Sequence, residues 1–87
     1  MTITVYKKPM CFQCDKTIEK FTAAGLPVEV VDVTENPDAL AYVKDDLGYT
    51  GAPVVVVSEH DHWSGLRPDH IARVIAGGGT DDETPGA

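Results

Sequence analysis

The sequence predicts a single α/β domain in which three helices surround a four-stranded mixed sheet, in the order β-α-β-α-β-β-α. Three observations lead to this prediction. The 87 residues leave room for one domain only. Residues 1–33 read as a strand, a helix and a second strand, an order that implies a parallel pair with a right-handed crossover. Residues 54–57 are consecutive valines closely followed by another short strand pattern, as in a hairpin.

The first half of the chain carries the pattern of a β-α-β unit. Apolar β-branched residues alternate with others along residues 2–6, which predicts the first strand. A helix with Cys11 at its entrance follows, and Gly25 and Pro27 end it. Residues 28–33 are almost continuously apolar, as expected of a strand covered on both faces, and they form the second strand. The first helix is predicted from the helical spacing of Cys14, Ile18 and Phe21.

The second helix is predicted between Asn36 and Gly48. Asn36 is a typical N-cap residue, and Pro37 suits the first helical position because its φ angle is already helical. Gly48 supplies the stop. The face expected to pack inward carries apolar residues at helical spacing, namely Leu40, Val43 and Leu47.

The last third of the chain predicts a hairpin and a third helix. Residues 54–57 are typical of a buried strand, and residues 62–64 can pair with them across the polar turn 58–61. Pro68 opens the last helix, which ends at the glycines of residues 77–79. The inner face of this helix is expected to carry Ile71, Val74 and Ile75.

The composition changes at residue 77. From there to residue 87 the sequence is polar, acidic and rich in glycine, so it offers no apolar face that could dock on a core. We therefore predict a folded domain over residues 1–76 and a disordered acidic tail over residues 77–87.

The charge and the apolar pattern argue against two classes of partner. The net charge is −7, whereas nucleic-acid binding relies on lysines and arginines that displace counterions. No apolar stretch approaches the roughly 20 residues of a membrane-spanning helix. Residues 1–6 also lack the basic and apolar organisation of a secretion signal. We therefore expect a soluble, cytoplasmic, monomeric protein whose partners are proteins.

The chain contains two cysteines, Cys11 and Cys14. A disulfide between them closes a very short loop and therefore contributes little stability. A structural metal site would need further Cys or His ligands nearby. A Cys-x-x-Cys pair in a cytosolic chain with β-α-β patterning is instead typical of redox chemistry, and we expect neither a metal nor a bound cofactor.

The two cysteines are predicted to have different catalytic roles. Cys11 faces the unpaired N–H groups at the start of a helix, and Lys7 and Lys8 precede it, all of which favour the thiolate that attacks a disulfide. Cys14 lies on nearly the same helical face, where it can resolve a mixed disulfide by attacking Cys11. Asp15 opposes thiolate formation even though its position suits the helix dipole, and the sequence leaves that competition open.

Several other residues have both a plain and a functional interpretation. Phe12, between the cysteines, is expected to be exposed, as aromatic residues on partner surfaces often are. Trp63 is most simply a packing residue. Arg67, at the expected N-cap of the last helix, is either a solvated charge or a hydrogen-bond clamp between loops. His60 and His62 suggest a metal, but a surface turn without a third ligand accounts for them better.

Two motifs together resemble the NrdH-redoxins, which are glutaredoxin-like proteins with thioredoxin-like activity. One is the Cys-x-Gln-Cys site that contains Gln13, and the other is the Trp-Ser-Gly-x-Arg-Pro-Asp run over residues 63–69. The Ala-Pro-Val segment of residues 52–54 lies between them in the family's order. The resemblance covers residues 2–76 and implies a thioredoxin-like fold for the domain 1–76. Leu66 departs from the phenylalanine common in the family.

The resemblance also implies an activity and its partners. Thioredoxin reductase, a flavoprotein that uses NADPH, would reduce the chain, which would reduce the disulfide of the large subunit of a class Ib ribonucleotide reductase. The chain would thus act as a thiol-disulfide oxidoreductase, an electron donor for deoxyribonucleotide synthesis. Pro53 would be cis and face the cysteines. The residues implied to bind partners or support the site are Lys8, Phe12, Gln13, Ala52, Pro53, Trp63, Ser64, Gly65 and Arg67.

Two alternatives stay open. A glutathione-dependent glutaredoxin usually carries a Gly-Gly-x-Asp-like segment at the start of the last helix, where this chain has Ser-Gly-Leu-Arg at residues 64–67. That difference weakens this alternative, although Lys8 and the Pro53 segment could still contact a peptide thiol. The other alternative is an iron–sulfur-binding module, in which two protomers share a cluster through exposed cysteine thiolates.

Overall fold

The structure, a computed structural model, describes residues 2–77 and contains the predicted order of strands and helices. The tail predicted from residue 77 lies outside the described residues except for Gly77, which is the last residue of the third helix. The strands are β1 (Ile3–Lys7), β2 (Val28–Asp32), β3 (Val54–Ser58) and β4 (Asp61–Ser64). The helices are α1 (Phe12–Ala23), α2 (Pro37–Ala41), which continues into a π-helical turn (Tyr42–Asp46), and α3 (Pro68–Gly77).

The four strands form one mixed sheet in the order β2-β1-β3-β4. β1 pairs in parallel with β2, from Ile3 opposite Val28 to Lys7 opposite Asp32. β3 runs antiparallel to β1, and β4 runs antiparallel to β3 across a turn shorter than predicted. The predicted thioredoxin-like topology is therefore confirmed, with β1 and β3 as the central strands.

The expectation that β2 is covered on both faces is wrong. β2 lies at an edge of the sheet, and Val30 is 45% exposed. Helices that pack on the faces of a sheet cover its central strands most completely, so some side chains of an edge strand remain exposed. Its apolar run resembles that of a central strand because hydropathy alone does not distinguish the two positions.

The core forms between the sheet and the pair α1 and α3. Phe21 of α1 and Val74 of α3 are fully buried in it, and Ile71 is nearly so. Ile75, predicted to share the inner face, is 38% exposed, because α3 directs Ile71 and Val74 at the sheet and leaves Ile75 at the border of the apolar stripe. The buried cluster consists of Ile3, Val5, Phe21, Val55, Val57, Trp63, Ile71 and Val74.

The second helix begins as predicted but does not stay α-helical. The Asn36 side chain accepts a hydrogen bond from the backbone N–H of Ala39 at 3.0 Å, which caps α2. The Leu47 N–H then bonds to the Tyr42 carbonyl, five residues back. Val43 is buried, but Leu40 is 41% exposed, so its predicted inward position is wrong. The wider π turn changes the rotation per residue, and an inner face extrapolated at α-helical spacing is therefore misplaced.

None of the helices within residues 2–77 combines the length and the apolar character needed to cross a bilayer.

Candidate active site

Cys11 is the N-cap of α1. Its backbone is extended, its carbonyl accepts a hydrogen bond from the Asp15 N–H at 3.1 Å, and its Sγ accepts one from the Cys14 N–H at 3.1 Å. The sulfur therefore takes the place that a serine or aspartate oxygen occupies in an ordinary N-cap. Negative charge on this sulfur would be favoured by that N–H and by the positive end of the helix dipole.

The two cysteines form a disulfide, with their Cα atoms 5.2 Å apart. Cys11 is half-buried, whereas Cys14 is fully buried. The Thr17 hydroxyl, also buried, donates to the Gln13 carbonyl at 2.8 Å, one turn into the helix. One sulfur is therefore within reach of solvent, and the other is enclosed behind it.

Exposed apolar residues flank Cys11 on both sides. Phe12 is 70% exposed, as the sequence predicts, and Met10 is fully exposed. Met10 also adopts a left-handed conformation with φ +58°, which is uncommon for a residue with a side chain. The chain thus makes a sharp turn between β1 and α1 that places an aliphatic and an aromatic side chain beside the reactive sulfur.

The strand register brings three distant segments to one end of the sheet. Tyr6, near the end of β1, lies opposite Val54, the first residue of β3, and Val54 lies opposite Ser64, the last residue of β4. The segments that follow β1, precede β3 and follow β4 therefore meet there. They are the three segments that carry the sequence motifs.

Hydrogen bonds join two of these segments directly. The Gly65 N–H donates to the Pro53 carbonyl at 2.8 Å, and the Ser64 hydroxyl donates to the Gly51 carbonyl at 3.4 Å. Gly65 has φ +92°, a conformation that favours glycine. The Ala52–Pro53 bond is cis, as the resemblance implies, and Pro53 is buried. Whether Pro53 faces the cysteines stays a prediction.

Trp63 occupies a packing position. It is 4% exposed and lies between Phe21, at 6.5 Å between ring centroids, and His70, which stacks on it at 4.8 Å. The Arg73 guanidinium lies 5.9 Å from the same ring and forms a bidentate pair with Asp61. Trp63 thus supports the site through the core and through the β4 to α3 connection.

Arg67 forms a local pair and not a clamp between loops. Its Nε and Nη2 donate to the two carboxylate oxygens of Asp69 at 3.2 and 2.9 Å. These bonds lower the pKa of the Asp69 carboxyl, with desolvation opposing them and the His70 N–H adding to them. The Arg67 carbonyl accepts the Ile71 N–H at 3.0 Å, so Arg67 does lie at the start of α3.

A groove at this end of the sheet carries, besides Lys8 and Ala52, residues that the motifs did not single out. Its volume is about 270 Å³, and Lys8 and Ala52 line it. Lys44 enters it from the π turn, and neither lysine has an ion-pair partner within residues 2–77. We call it the lysine groove; its lining is completed by Tyr6, Val33, Leu40, Val43, Tyr49, Thr50, Gly51 and Val54.

Tyr49 fixes one wall of the lysine groove. Its hydroxyl lies 2.9 Å from Nδ1 of His62 and donates to the His62 carbonyl at 3.3 Å, which ties the segment before Pro53 to β4. The only sequence signal for it was its position in the Gly-Tyr-Thr-Gly stretch ahead of Pro53. Within the described residues no group of His, Cys, Asp or Glu side chains has the arrangement of a metal site.

One protein family and several individual proteins are similar to this chain over most of its length. The family described as glutaredoxin matches residues 3–63. The glutaredoxin-like protein NrdH of Salmonella typhimurium is 36% identical over 74 residues, which cover 85% of this chain and 89% of that protein. The gene 56 protein of Mycobacterium phage L5 is 40% identical over 73 residues, which cover 84% of this chain and 71% of the phage protein.

Comparison with solved structures agrees. The glutaredoxin-like NrdH-redoxin from Escherichia coli, a protein with a thioredoxin-like activity profile, aligns with a TM-score of 0.77 and 34% identity, covering 85% of this chain and 95% of its own. A glutaredoxin from Archaeoglobus fulgidus aligns with a TM-score of 0.73 at 24% identity, a level that supports the fold alone.

Proposed function

The chain belongs to the glutaredoxin family as a redox protein of the NrdH type, and on this premise we propose that it carries electrons from thioredoxin reductase to the disulfide of a class Ib ribonucleotide reductase. The observation that carries the proposal is the pairing of a half-buried Cys11 with a fully buried Cys14 at the start of α1. Two-step disulfide exchange needs one sulfur that a partner can reach and a second that it cannot.

The first step uses the reduced protein. The Cys11 thiolate, held by the Cys14 N–H and the helix dipole, attacks one sulfur of the partner's disulfide. A bond forms between Cys11 Sγ and that sulfur, the partner's S–S bond breaks, and the partner's second sulfur leaves as a thiolate that takes up a proton.

The second step returns the protein to the disulfide seen in the structure. Cys14 loses its proton and attacks Cys11 Sγ, so the Cys11–Cys14 bond forms and the mixed disulfide breaks. The partner leaves with two thiols, having gained two electrons and two protons. Cys14 is already positioned for this attack, because the first turn of α1 places it beside Cys11.

The surface around Cys11 favours a protein substrate. Met10 and Phe12 offer exposed apolar contacts, and the lysine groove offers two lysines that have no ion-pair partner in the part of the chain that the structure describes. Apolar anchors bordered by charge are typical of protein interfaces. The segment 64–67 adds to this preference, because it departs from the glycine-rich segment with which glutaredoxins hold glutathione.

The electrons would come from NADPH through the flavin of thioredoxin reductase. No group bound to this chain is needed for the exchange, since the two sulfurs themselves carry the electron pair. The same surface at Cys11 would serve both partners in turn. The chain would be in its disulfide form when it dissociates from ribonucleotide reductase and in its dithiol form when it dissociates from thioredoxin reductase.

The test is a coupled assay that follows NADPH oxidation. The purified protein, thioredoxin reductase and a class Ib ribonucleotide reductase large subunit with its disulfide oxidised should consume NADPH rapidly, and Cys11→Ser should abolish the reaction. Glutathione with glutathione reductase, run in parallel at equal NADPH, should reduce the Cys11–Cys14 disulfide poorly. Rapid turnover with glutathione and none with thioredoxin reductase would overturn the proposal and identify a glutathione-dependent glutaredoxin.

A further inference from the structure

A carboxylate lies beside the redox pair. Asp15 directly follows Cys14 in the first turn of α1, and its side chain is 69% exposed. In this place it stabilises the helix through the dipole. The same negative charge raises the free energy of a thiolate at the helix entrance and so opposes the reactive form of Cys11.

The structure places a cation against this carboxylate. The Lys7 Nζ lies 3.9 Å from Oδ1 of Asp15, and the Lys7 side chain is only 28% exposed. Lys7 is the last residue of the central strand β1, and its carbonyl accepts the Val33 N–H at 3.0 Å. The ammonium group therefore extends toward α1 from a backbone that the sheet holds fixed.

Asp32 is the competing partner for Lys7. It lies opposite Lys7 in the β1 to β2 register, but its carboxylate already accepts bonds from the Thr34 hydroxyl at 2.6 Å and the Thr34 N–H at 2.9 Å. Those two bonds are the main reason why the pKa of Asp32 is lowered; desolvation opposes them, and the charge of Lys7 contributes least. Lys7 therefore remains available to Asp15.

No other lysine forms an ion pair with Asp15 within residues 2–77. Lys16 donates to Glu19 at 3.2 Å and lies over the Phe12 ring, while Lys8 and Lys44 line the lysine groove. Within residues 2–77 the ion pair of Asp15 is thus with Lys7.

We propose that Lys7 is a positioning residue that neutralises Asp15 and thereby keeps Cys11 in its thiolate form when the pair is reduced. The inference rests on the proposed role of Cys11 as the attacking sulfur. With Lys7 in place, Asp15 supports the helix dipole without repelling the sulfur that the helix activates. This resolves the competition between Asp15 and the helix dipole in favour of the thiolate.

The test is a double-mutant cycle read by the ultraviolet absorbance of the thiolate as a function of pH. In a Cys14→Ser background, which leaves Cys11 as the only thiol, Lys7→Met should raise the pKa of the Cys11 thiol by about half a unit, the order of magnitude expected for one partly exposed charge. Asp15→Asn should lower that pKa, and Lys7→Met should have at most half its effect when combined with Asp15→Asn. Lys7→Arg should behave as the parent does.

Lys20→Gln serves as the matched control, because Lys20 lies in the last turn of the same helix. It should leave the pKa of the Cys11 thiol unchanged. Absence of a shift in Lys7→Met, or an equal shift with and without Asp15, would overturn the inference, since the second result would mean that Lys7 acts on the sulfur directly. The titration uses no partner protein, so its outcome is separate from that of the NADPH-coupled assay. Urea unfolding of each variant would show that the fold is retained.

Discussion

Cys11 and Cys14 are the same residue type three positions apart, yet the fold gives them unequal access to solvent. Cys11 precedes the helix and is half-buried, whereas Cys14 is inside its first turn and is fully buried. The difference follows from helix geometry. Cys14, the third residue of the helix, is turned toward the interior of the protein, whereas Cys11, the N-cap, lies at the end of the helix. Access therefore assigns the attack to one sulfur and the resolution to the other.

Single serine substitutions should separate these two roles. Cys11→Ser should abolish disulfide reduction, and Cys14→Ser should retain one attack and accumulate a mixed disulfide with the partner, since no second sulfur can release it. Mass spectrometry of the intact protein after mixing with a disulfide substrate measures the adduct. An adduct on Cys11→Ser and none on Cys14→Ser would reverse the assignment.

The Arg67 and Asp69 pair gives a prediction about pH. Because Arg67 donates two bonds to the carboxylate, the pKa of Asp69 in the folded protein is below its ordinary value. A lowered pKa means that the pair stabilises the fold above the ordinary pKa of aspartate and that this contribution is lost as the pH falls through the lowered value. NMR titration of the Asp69 carboxyl should show the low midpoint, and Arg67→Gln should move it upward.

Arg73→Gln is the control for that titration. Arg73 pairs with Asp61, so its loss should leave the Asp69 midpoint in place. An Asp69 midpoint that is unchanged in Arg67→Gln, or that shifts equally in both variants, would contradict the local pair.

The predictions for whole elements succeeded where a local signal sets the backbone. Asn36 and Pro37 define the start of α2, and the valine run of β3 is central and mostly buried, as its composition indicates. Failures occurred where tertiary context decides which side of an element is covered. Val30 is exposed because β2 is an edge strand, and Leu40 is exposed because a π turn follows α2.

Much of the site was predictable as well, because its motifs are local signals in the sequence. The Cys-x-x-Cys motif identifies the redox pair, and the motif resemblance implied the cis bond at Pro53 that the structure contains. The lysine groove was not predictable, because Lys44 and Tyr49 enter it through a π turn and a contact with β4 that no local pattern encodes. Of the two interpretations left open for Arg67, the clamp between loops is wrong, because its partner Asp69 is two residues away on the same segment.

A pair of alanine substitutions on α3 tests the corrected helix face. Ile71 is 2% exposed and Ile75 is 38% exposed, four residues apart on the same helix. Ile71→Ala should lower the free energy of unfolding by about 2 to 5 kcal/mol, the usual cost of removing a buried isoleucine side chain. Ile75→Ala should cost less than about 1 kcal/mol, as most changes at partly exposed sites do. Urea unfolding measures both, and equal losses would contradict the observed rotation of α3.

Considered as a whole, the molecule brings its motifs together at one end of the sheet, where two lysines without an ion-pair partner within residues 2–77 also line a groove. The net charge is −7, yet Lys8 and Lys44 both line the lysine groove. We expect such a distribution to favour the approach of an acidic partner at the lysine groove, because the acidic remainder of the protein would repel it. We therefore expect partner binding at this site to depend more on where the charged residues lie than on the net charge of the protein.

The last prediction concerns residues 78–87, which follow the end of α3. Their sequence is polar and acidic with no apolar side chain large enough to dock, so truncation after Gly77 should preserve activity in the coupled assay. The truncation removes Asp81, Asp82 and Glu83 and changes the net charge from −7 to −7 + 3 = −4. The thermal midpoint should fall by less than about 4 °C, the change that corresponds to roughly 1 kcal/mol in a domain of this size.

A full-length variant with those three acids changed to Asn, Asn and Gln separates charge from chain length. If both variants match the parent in kcat/KM with thioredoxin reductase, neither the segment nor its charge contributes to docking, which is the expected result. A loss of more than half the activity in the truncated protein would contradict it. A similar loss in the neutral full-length variant would assign that effect to the charge, and a loss in the truncation alone would assign it to the chain itself.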